Sequence, residues 1–186
     1  MKQLGISSLA AMLLLAVPGA ASAINIGFHA GFGSGTMDVT WNDDGFFGDQ
    51  EVELDVDYFQ AGFTLDTGRQ GKMFQYRLHA GYHALGDGTV PDEQTGIGID
   101  NHFGFAFNPG AAVRVWAGPS VYVGVLSGDF DGGAYFGAGA TLGVDIPVGD
   151  GPKLGLELSY RVAGHVYDDF DSGTSDDIFL RAAFLF

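Results

Sequence analysis

Residues 134–146 read AYFGAGATLGVDI. Ala134, Phe136, Ala138, Ala140, Leu142, Val144 and Ile146 stand at every second position, and Gly137, Gly139, Gly143 and Asp145 stand between them. Side chains alternate across a strand, so this spacing predicts a β-strand with one continuous apolar face and one face of glycine and charge. The same period recurs along the chain. Upstream it places Ile24, Ile26, Phe28, Ala30 and Phe32 on one face, then Phe59, Ala61, Phe63 and Leu65 after a change of phase near Tyr58 that predicts a bulge. It continues through Phe74, Tyr76, Leu78, Ala80 and Tyr82, through Ile97, Ile99, Phe103, Phe105 and Phe107, and through Val113, Val115, Ala117, Val121, Val123 and Val125. Downstream come Leu154, Leu156, Leu158, Tyr160, Val162 and Val166, and finally Ile178, Leu180, Ala182, Phe184 and Phe186. With no helix-length period in these segments and Gly, Asp, Asn and Pro clusters between them, the reading is all-β with eight strands.

The second face decides which side is wet. It carries Gly27, Gly31, Gly62, Gly81, Gly98, Gly104, Gly118, Gly124 and Gly155, interleaved with Arg77, Arg114, Arg161, Arg181, Asp100, Asp145, Glu157 and Trp116. Large polar groups between glycines suit the crowded interior of a closed eight-stranded sheet, where each needs small neighbours across the lumen. A soluble barrel with the apolar face inward would instead show glycine and arginine outside, with hardly any lysine to blunt a water-exposed sheet. The pattern therefore predicts a transmembrane β-barrel, apolar face to lipid. Closure is required in lipid, because an open edge would leave amide groups unpaired in hydrocarbon.

The connections alternate in kind. Segments 34–50, 85–96, 127–132 and 168–177 are mostly long and acidic, whereas those near 66–71, 108–112 and 147–152 are short turns. An even strand count puts both termini at the short-turn rim, the pattern of long external loops and short periplasmic turns, with strands of roughly 9 to 11 residues. Lys2, the apolar run LAAMLLLAV and the small site Ala21, Ser22, Ala23 predict a signal peptide over residues 1–23, leaving a barrel domain at 24–186. The full chain carries 8 Lys and Arg against 23 Asp and Glu, so removing Lys2 makes its formal charge of −15 into −16. That balance excludes nucleic acid as a partner. Cysteine is absent, so no disulfide holds the fold.

With a signal peptide, eight alternating segments and a last strand ending in Phe186, the chain resembles small eight-stranded outer-membrane β-barrels of the OmpA-type and OmpX-type superfamily over its whole mature length. The resemblance implies an outer-membrane location in a Gram-negative-type cell, among outer-membrane lipids and lipopolysaccharide. It further implies that Phe184 and Phe186 form a signal read by the barrel-assembly machinery. The resemblance is to the barrel alone, and a peptidoglycan-binding domain like that of full-length OmpA-type proteins is not expected after it.

Within the lumen, hairpin register predicts Arg114 opposite Asp145, His79 opposite His102, Asp100 facing Gly81, and Trp116 opposite Gly104 as a filler. Arg77, Arg114, Asp145, Glu157, Arg161, Arg181, His79, His102 and Asp100 form the expected polar network, either structural or gating. All five histidines, His29, His79, His83, His102 and His165, share inward parity. His79, His83 and His102 with Asp100 have ligand types suited to zinc or copper, but residues four apart on a strand lie ~13 Å apart, so no metal or other cofactor is expected. The acidic runs WNDDGFFGD at 41–49 and DDFDSGTSDD at 168–177 lack calcium-loop spacing and read as solvated loops, open to an extracellular ligand. Glu157, Ser159 and His165 share a face, but Ser159 and His165 would lie ~20 Å apart, so no nucleophile–base pair forms along that strand. The expected function is a non-enzymatic integral barrel serving envelope structure or surface interaction. A narrow ion channel is the alternative, and a lipid A-modifying enzyme the more distant one.

Overall fold

The computed structural model describes residues 24–41, 50–86, 94–127, 132–167 and 172–186. The signal segment 1–23, most of the first acidic run and Asp168, Asp169 and Asp171 of the last one lie outside the described residues. The strands are β1 (Asn25–Trp41), β2 (Gln50–Asp66), β3 (Phe74–Gly86), β4 (Gln94–Ala106), β5 (Arg114–Ser127), β6 (Gly133–Pro147), β7 (Lys153–Tyr167) and β8 (Ser172–Leu185). Each pairs antiparallel with its neighbours, and β1 pairs with β8 to close the barrel. Among the described residues no helix is long and apolar enough to cross a membrane; the wall itself is made of strands.

One inward belt shows the geometry of closure. His29, Gly62, Gly81, Gly98, Gly124, Tyr135, His165 and Gly173 stand opposite one another from β1 to β8, and Gly173 returns to β1 at Val39. The path thus shifts from position 29 to position 39 on one strand, a shear of ten. With ~3.3 Å per residue and ~4.8 Å between strands, that shear tilts the strands by about 40°. The short turns between strands contain Gly71, Gly149 and Gly151 at φ of 82°, 69° and 141°, conformations that glycine adopts without a Cβ penalty.

The outer face carries Phe28, Phe63, Phe105, Phe136, Leu158, Val162 and Ile178, all exposed, while Arg77, His79, Asp100, Trp116 and Glu157 are buried inside. The strands run to 13–17 residues, longer than the 9–11 a tilted crossing needs. The loop limits read from sequence shift accordingly: 34–41 belongs to β1, and 172–177 to β8.

The extra length explains the change of phase at Tyr58, where no bulge exists. β2 pairs residue for residue with β1 from Trp41↔Gln50 to Asn25↔Asp66. Its backbone alternation is unbroken, and what changes is the chemistry of each face. Below Tyr58 the outward residues are Phe59, Ala61, Phe63 and Leu65; above it they are Glu51, Glu53, Asp55 and Asp57. The inward face changes in the opposite sense, with Met37, Val39, Val56 and Tyr58 forming a buried apolar cluster with Leu85, Leu126 and Tyr135. The wall is therefore patterned for lipid at one height and, toward the long-loop rim, patterned like a soluble barrel. A change of outer surroundings from hydrocarbon to water at Tyr58 would account for both reversals.

Glycine makes room for the largest filler among the described residues. Trp116 is fully buried and stands directly opposite Ala106 and Gly143, two residues along from the expected Gly104. Its ring still lies across Gly104, where an added Cβ would come within 2.6 Å, and at Gly143 within 2.1 Å. Gly143→Val is expected to lower stability by about 1–3 kcal/mol, measured by urea unfolding in detergent, because neither the ring nor the ladder can retreat.

A polar pair sits on the apolar side of the wall. Asn101 has outward parity between Leu78 and Val121, and its Oδ1 accepts the Tyr76 hydroxyl at 2.5 Å. Tyr76→Phe is expected to cost about 1–3 kcal/mol by leaving the buried amide unpaired, whereas a Tyr76→Phe, Asn101→Leu double substitution recovers most of that loss.

Candidate functional site

The lumen is the chemically distinctive region, and Glu157 on β7 is its centre. Glu157 Oε1 accepts Arg77 Nη1 at 2.7 Å, and Oε2 accepts Arg181 Nη1 at 3.2 Å. His79 Nε2 lies 3.2 and 3.1 Å from the two oxygens, and His102 Nδ1 lies 3.4 Å from Oε2. Strands β3, β4 and β8 thus converge on one carboxylate of β7. Glycine allows the approach: a Cβ at Gly155 would come within 2.8 Å of Arg77 Nη1.

The arginines act as cross-braces. Arg77 gives each of its nitrogens to a different carboxylate: Nε to Asp66 at 3.1 Å, Nη2 to Asp145 at 2.7 Å and Nη1 to Glu157. Arg181 reaches Gln60 and Asp100 through Nη2 as well as Glu157. Arg161 donates to Asp177 at 2.7 Å while its guanidinium lies 4.1 Å from the centre of the Phe179 ring, with Tyr58 and Tyr122 also beside it. Arg114 donates to Gln75 at 2.5 Å and to the Lys72 carbonyl at 2.9 Å. Lys153 closes the short-turn end against Asp66. Five cations (Arg77, Arg114, Arg161, Arg181, Lys153) meet five anions (Asp66, Asp100, Asp145, Glu157, Asp177), so these groups balance formally. The chain's acidic excess lies elsewhere. Such pairing is what lets buried charge persist in a narrow core.

Several sequence expectations change in detail. Arg114 does face Asp145 across β5 and β6, but their closest approach is 3.9 Å and Asp145 is held by Arg77. His79 faces Asp100, and His102 faces Arg77, whereas Gly81 faces Gly98. The slip is two residues, one full pleat, so inward parity survives while partners change. His79 and His102 meet diagonally, ring centres 5.0 Å apart. His83 leaves that group, with Nδ1 2.7 Å from the Tyr135 hydroxyl and Nε2 2.7 Å from Gln60. His29 and His79 share the Thr64 hydroxyl at 3.1 and 2.9 Å.

The sequence reading missed Gln60, Thr64, Asp66, Gln75 and Asp177. Asp66 and Asp177 sit at strand ends that were assigned to connections, and the period-2 rule extended by one or two residues would have captured both.

His79, His102 and Glu157 can bring three ligand atoms within 4.8 Å of one another. Arg77 and Arg181 already occupy the two Glu157 oxygens, so a divalent cation there would face two guanidinium groups at contact range. The arrangement fits an ion-pair network and not a metal centre. A serine–histidine contact does arise between strands, His165 Nε2 lying 2.8 Å from Ser175 Oγ. Both line an inner cavity of about 20 Å³, room for roughly one water and none for a lipid substrate. Ser159 bonds Thr141 at 2.8 Å, away from any histidine in that contact. A second lumen cavity, of about 150 Å³ beside Arg114 and Lys153 at the short-turn rim, shares no lining residue with the first.

No family model matches the chain, and no curated protein matches it. Solved structures do. OprG from Pseudomonas aeruginosa is 12% identical, with a TM-score of 0.53 over 88% of this chain and 95% of that one. The chain has the fold of the small eight-stranded outer-membrane β-barrels. Neisserial surface protein A is 14% identical over 84% of this chain and 95% of that one, with a TM-score of 0.46. Ail, the attachment invasion locus protein of Yersinia pestis, is 11% identical over 89% of this chain and its own whole length, with a TM-score of 0.31. In this barrel Phe184 and Phe186 face outward on the closing strand, their rings 5.1 Å apart, and the Phe186 amide donates to the Ile26 carbonyl at 2.9 Å. Phe28 packs against Phe186 and Phe63, so the β8–β1–β2 seam of the barrel is zipped by aromatics on the outer face.

Proposed function

We propose that the chain is exported through residues 1–23, is inserted in the outer membrane by the barrel-assembly machinery acting on Phe184 and Phe186, and serves there as a non-enzymatic, non-conducting anchor. Lipid and lipopolysaccharide surround it. Its role is to hold the long-loop rim above the outer leaflet for envelope structure or surface interaction. One observation carries this reading: the lumen charges are cross-braced from strand to strand beneath an apolar cluster of Met37, Val39, Val56, Leu85 and Leu126, which favours a closed plug over an ion path. The 20 Å³ space around His165 and Ser175 likewise speaks against acyl chemistry inside the barrel.

The test has two parts. In planar bilayers the refolded protein is expected to give no discrete conductance steps, and steady unit steps would favour the channel instead. In intact cells a Glu53→Cys variant is expected to react with a membrane-impermeant maleimide added outside; protection there would overturn the assignment of the long-loop rim to the exterior.

A further inference from the structure

Basic side chains are few, and they are not spread evenly. Setting Lys2 aside, the eight Lys and Arg become seven, and four of these, Arg69, Lys72, Arg114 and Lys153, stand in or beside the three short turns. Of the 23 acidic residues only Asp66, Asp145 and Asp150 share that rim. A chain with a formal charge of −15 thus has one rim where cations outnumber anions. Residues 66–74, 106–114 and 147–153, which build it, all lie within the described residues.

Three of the four line one cavity. It has a volume of about 150 Å³ and sits among the three turns, with Arg69, Arg114 and Lys153 in its wall against a single carboxylate, Asp145. Asp145 Oδ1 is held by Arg77 at 2.7 Å, and its Oδ2 lies 3.9 Å from Arg114 and 3.8 Å from Lys153. Arg77, Arg161 and Arg181 each donate to at least one carboxylate. Arg114 instead commits two of its five N–H groups to neutral oxygens, Gln75 Oε1 and the Lys72 carbonyl, and its Nε has no hydrogen-bond partner among the described residues. The side chain is buried all the same, so it lacks the anion in contact that offsets the desolvation of a guanidinium. Gly68 keeps the space beside it open, since a Cβ there would come within 2.5 Å of Nη1.

We propose that this cavity binds a dianionic phosphate group, held by Arg114 and Lys153 with Arg69 adding charge. Arginine presents paired N–H groups that match phosphate oxygens, and lysine sets a point charge beside them. The lining cations exceed the lining carboxylate by 3 − 1 = 2, which balances the charge of about −2 that such a group carries near neutral pH. The volume is several times the 20 Å³ beside His165 and Ser175, room for a tetrahedral oxyanion with water around it. Inorganic phosphate and the phosphomonoester headgroup of a lipid share this chemistry. The inference rests on the proposed removal of residues 1–23, which adjoin this rim through Ile24.

The protein is extracted from the outer membrane in detergent, its intact mass is measured, and inorganic phosphate is titrated in by calorimetry at low ionic strength. Saturable binding with a Kd of about 1 mM or tighter is expected. Ala112 is an exposed turn residue in the cavity wall, away from the lumen braces. Ala112→Glu is expected to bind phosphate about tenfold more weakly than Ala112→Gln, which matches it in size without the charge. Arg114→Gln, checked for a closed barrel by heat-modifiable migration, is expected to show a similar loss. Dioctanoyl phosphatidic acid, with dioctanoyl phosphatidylcholine as the control, then separates the two sources: tighter binding in competition with inorganic phosphate supports a lipid headgroup, and equal or weaker binding supports the free anion. No saturable phosphate binding by the processed chain, or equal binding by the Glu and Gln variants, overturns the site. A mass that retains residues 1–23 while phosphate still binds would remove only the processing, and retention without binding overturns both.

Discussion

Glu157→Ala is expected to lower the unfolding free energy of the barrel by about 3–5 kcal/mol, the largest loss of any single lumen substitution. The carboxylate accepts from Arg77 and Arg181 and lies within 3.4 Å of nitrogens on His79 and His102. After truncation Arg77 retains Asp66 and Asp145, and Arg181 retains Asp100 and Gln60, but the two histidines lose their shared acceptor. The formally balanced lumen gains one positive charge that water cannot reach. Glu157→Gln keeps the shape and one acceptor oxygen, so its loss is expected to be smaller although the charge is gone. Urea unfolding in lipid vesicles, followed by tryptophan fluorescence and gel migration, measures both. A loss below ~1 kcal/mol for the alanine variant would mean that the network fills space without holding the strands.

The second large effect tests the placement of the membrane. Leu158 lies between Leu142 and Leu180 on the apolar outer wall. Leu158→Arg is expected to cost about 2–4 kcal/mol, as a guanidinium at hydrocarbon depth does. Asp38, on the same outer surface but above the switch at Tyr58, is already exposed. Asp38→Arg is expected to change stability by about 0–1 kcal/mol, the sign favourable because it relieves the repulsion with Glu53. The contrast between the two variants in vesicles is the measurement. Similar losses would put both residues at one depth and remove the change of surroundings at Tyr58.

Alternation by two is a local property, and it was enough to read eight strands, a closed wall and its orientation. Phe136, Leu142 and Leu158 declare the lipid side because nothing but hydrocarbon would tolerate so many exposed apolar side chains opposite glycine and arginine. The inward parity of Arg77, His79, Glu157 and Arg181 follows from the same count. Register does not, since a slip of two residues leaves every side chain on its own face at almost no local cost. That is why the residue directly opposite His79 is Asp100 and not His102, and why Trp116 stands opposite Ala106. The partners of Glu157 were equally invisible, because Arg77 is 80 residues distant in sequence and only closure with a shear of ten brings β3, β4, β7 and β8 together around one carboxylate. Sequence by itself determined the faces, by the pleat and by what each solvent accepts; tertiary structure alone decided the heights, through the strand tilt that sets which residues share a layer around the lumen.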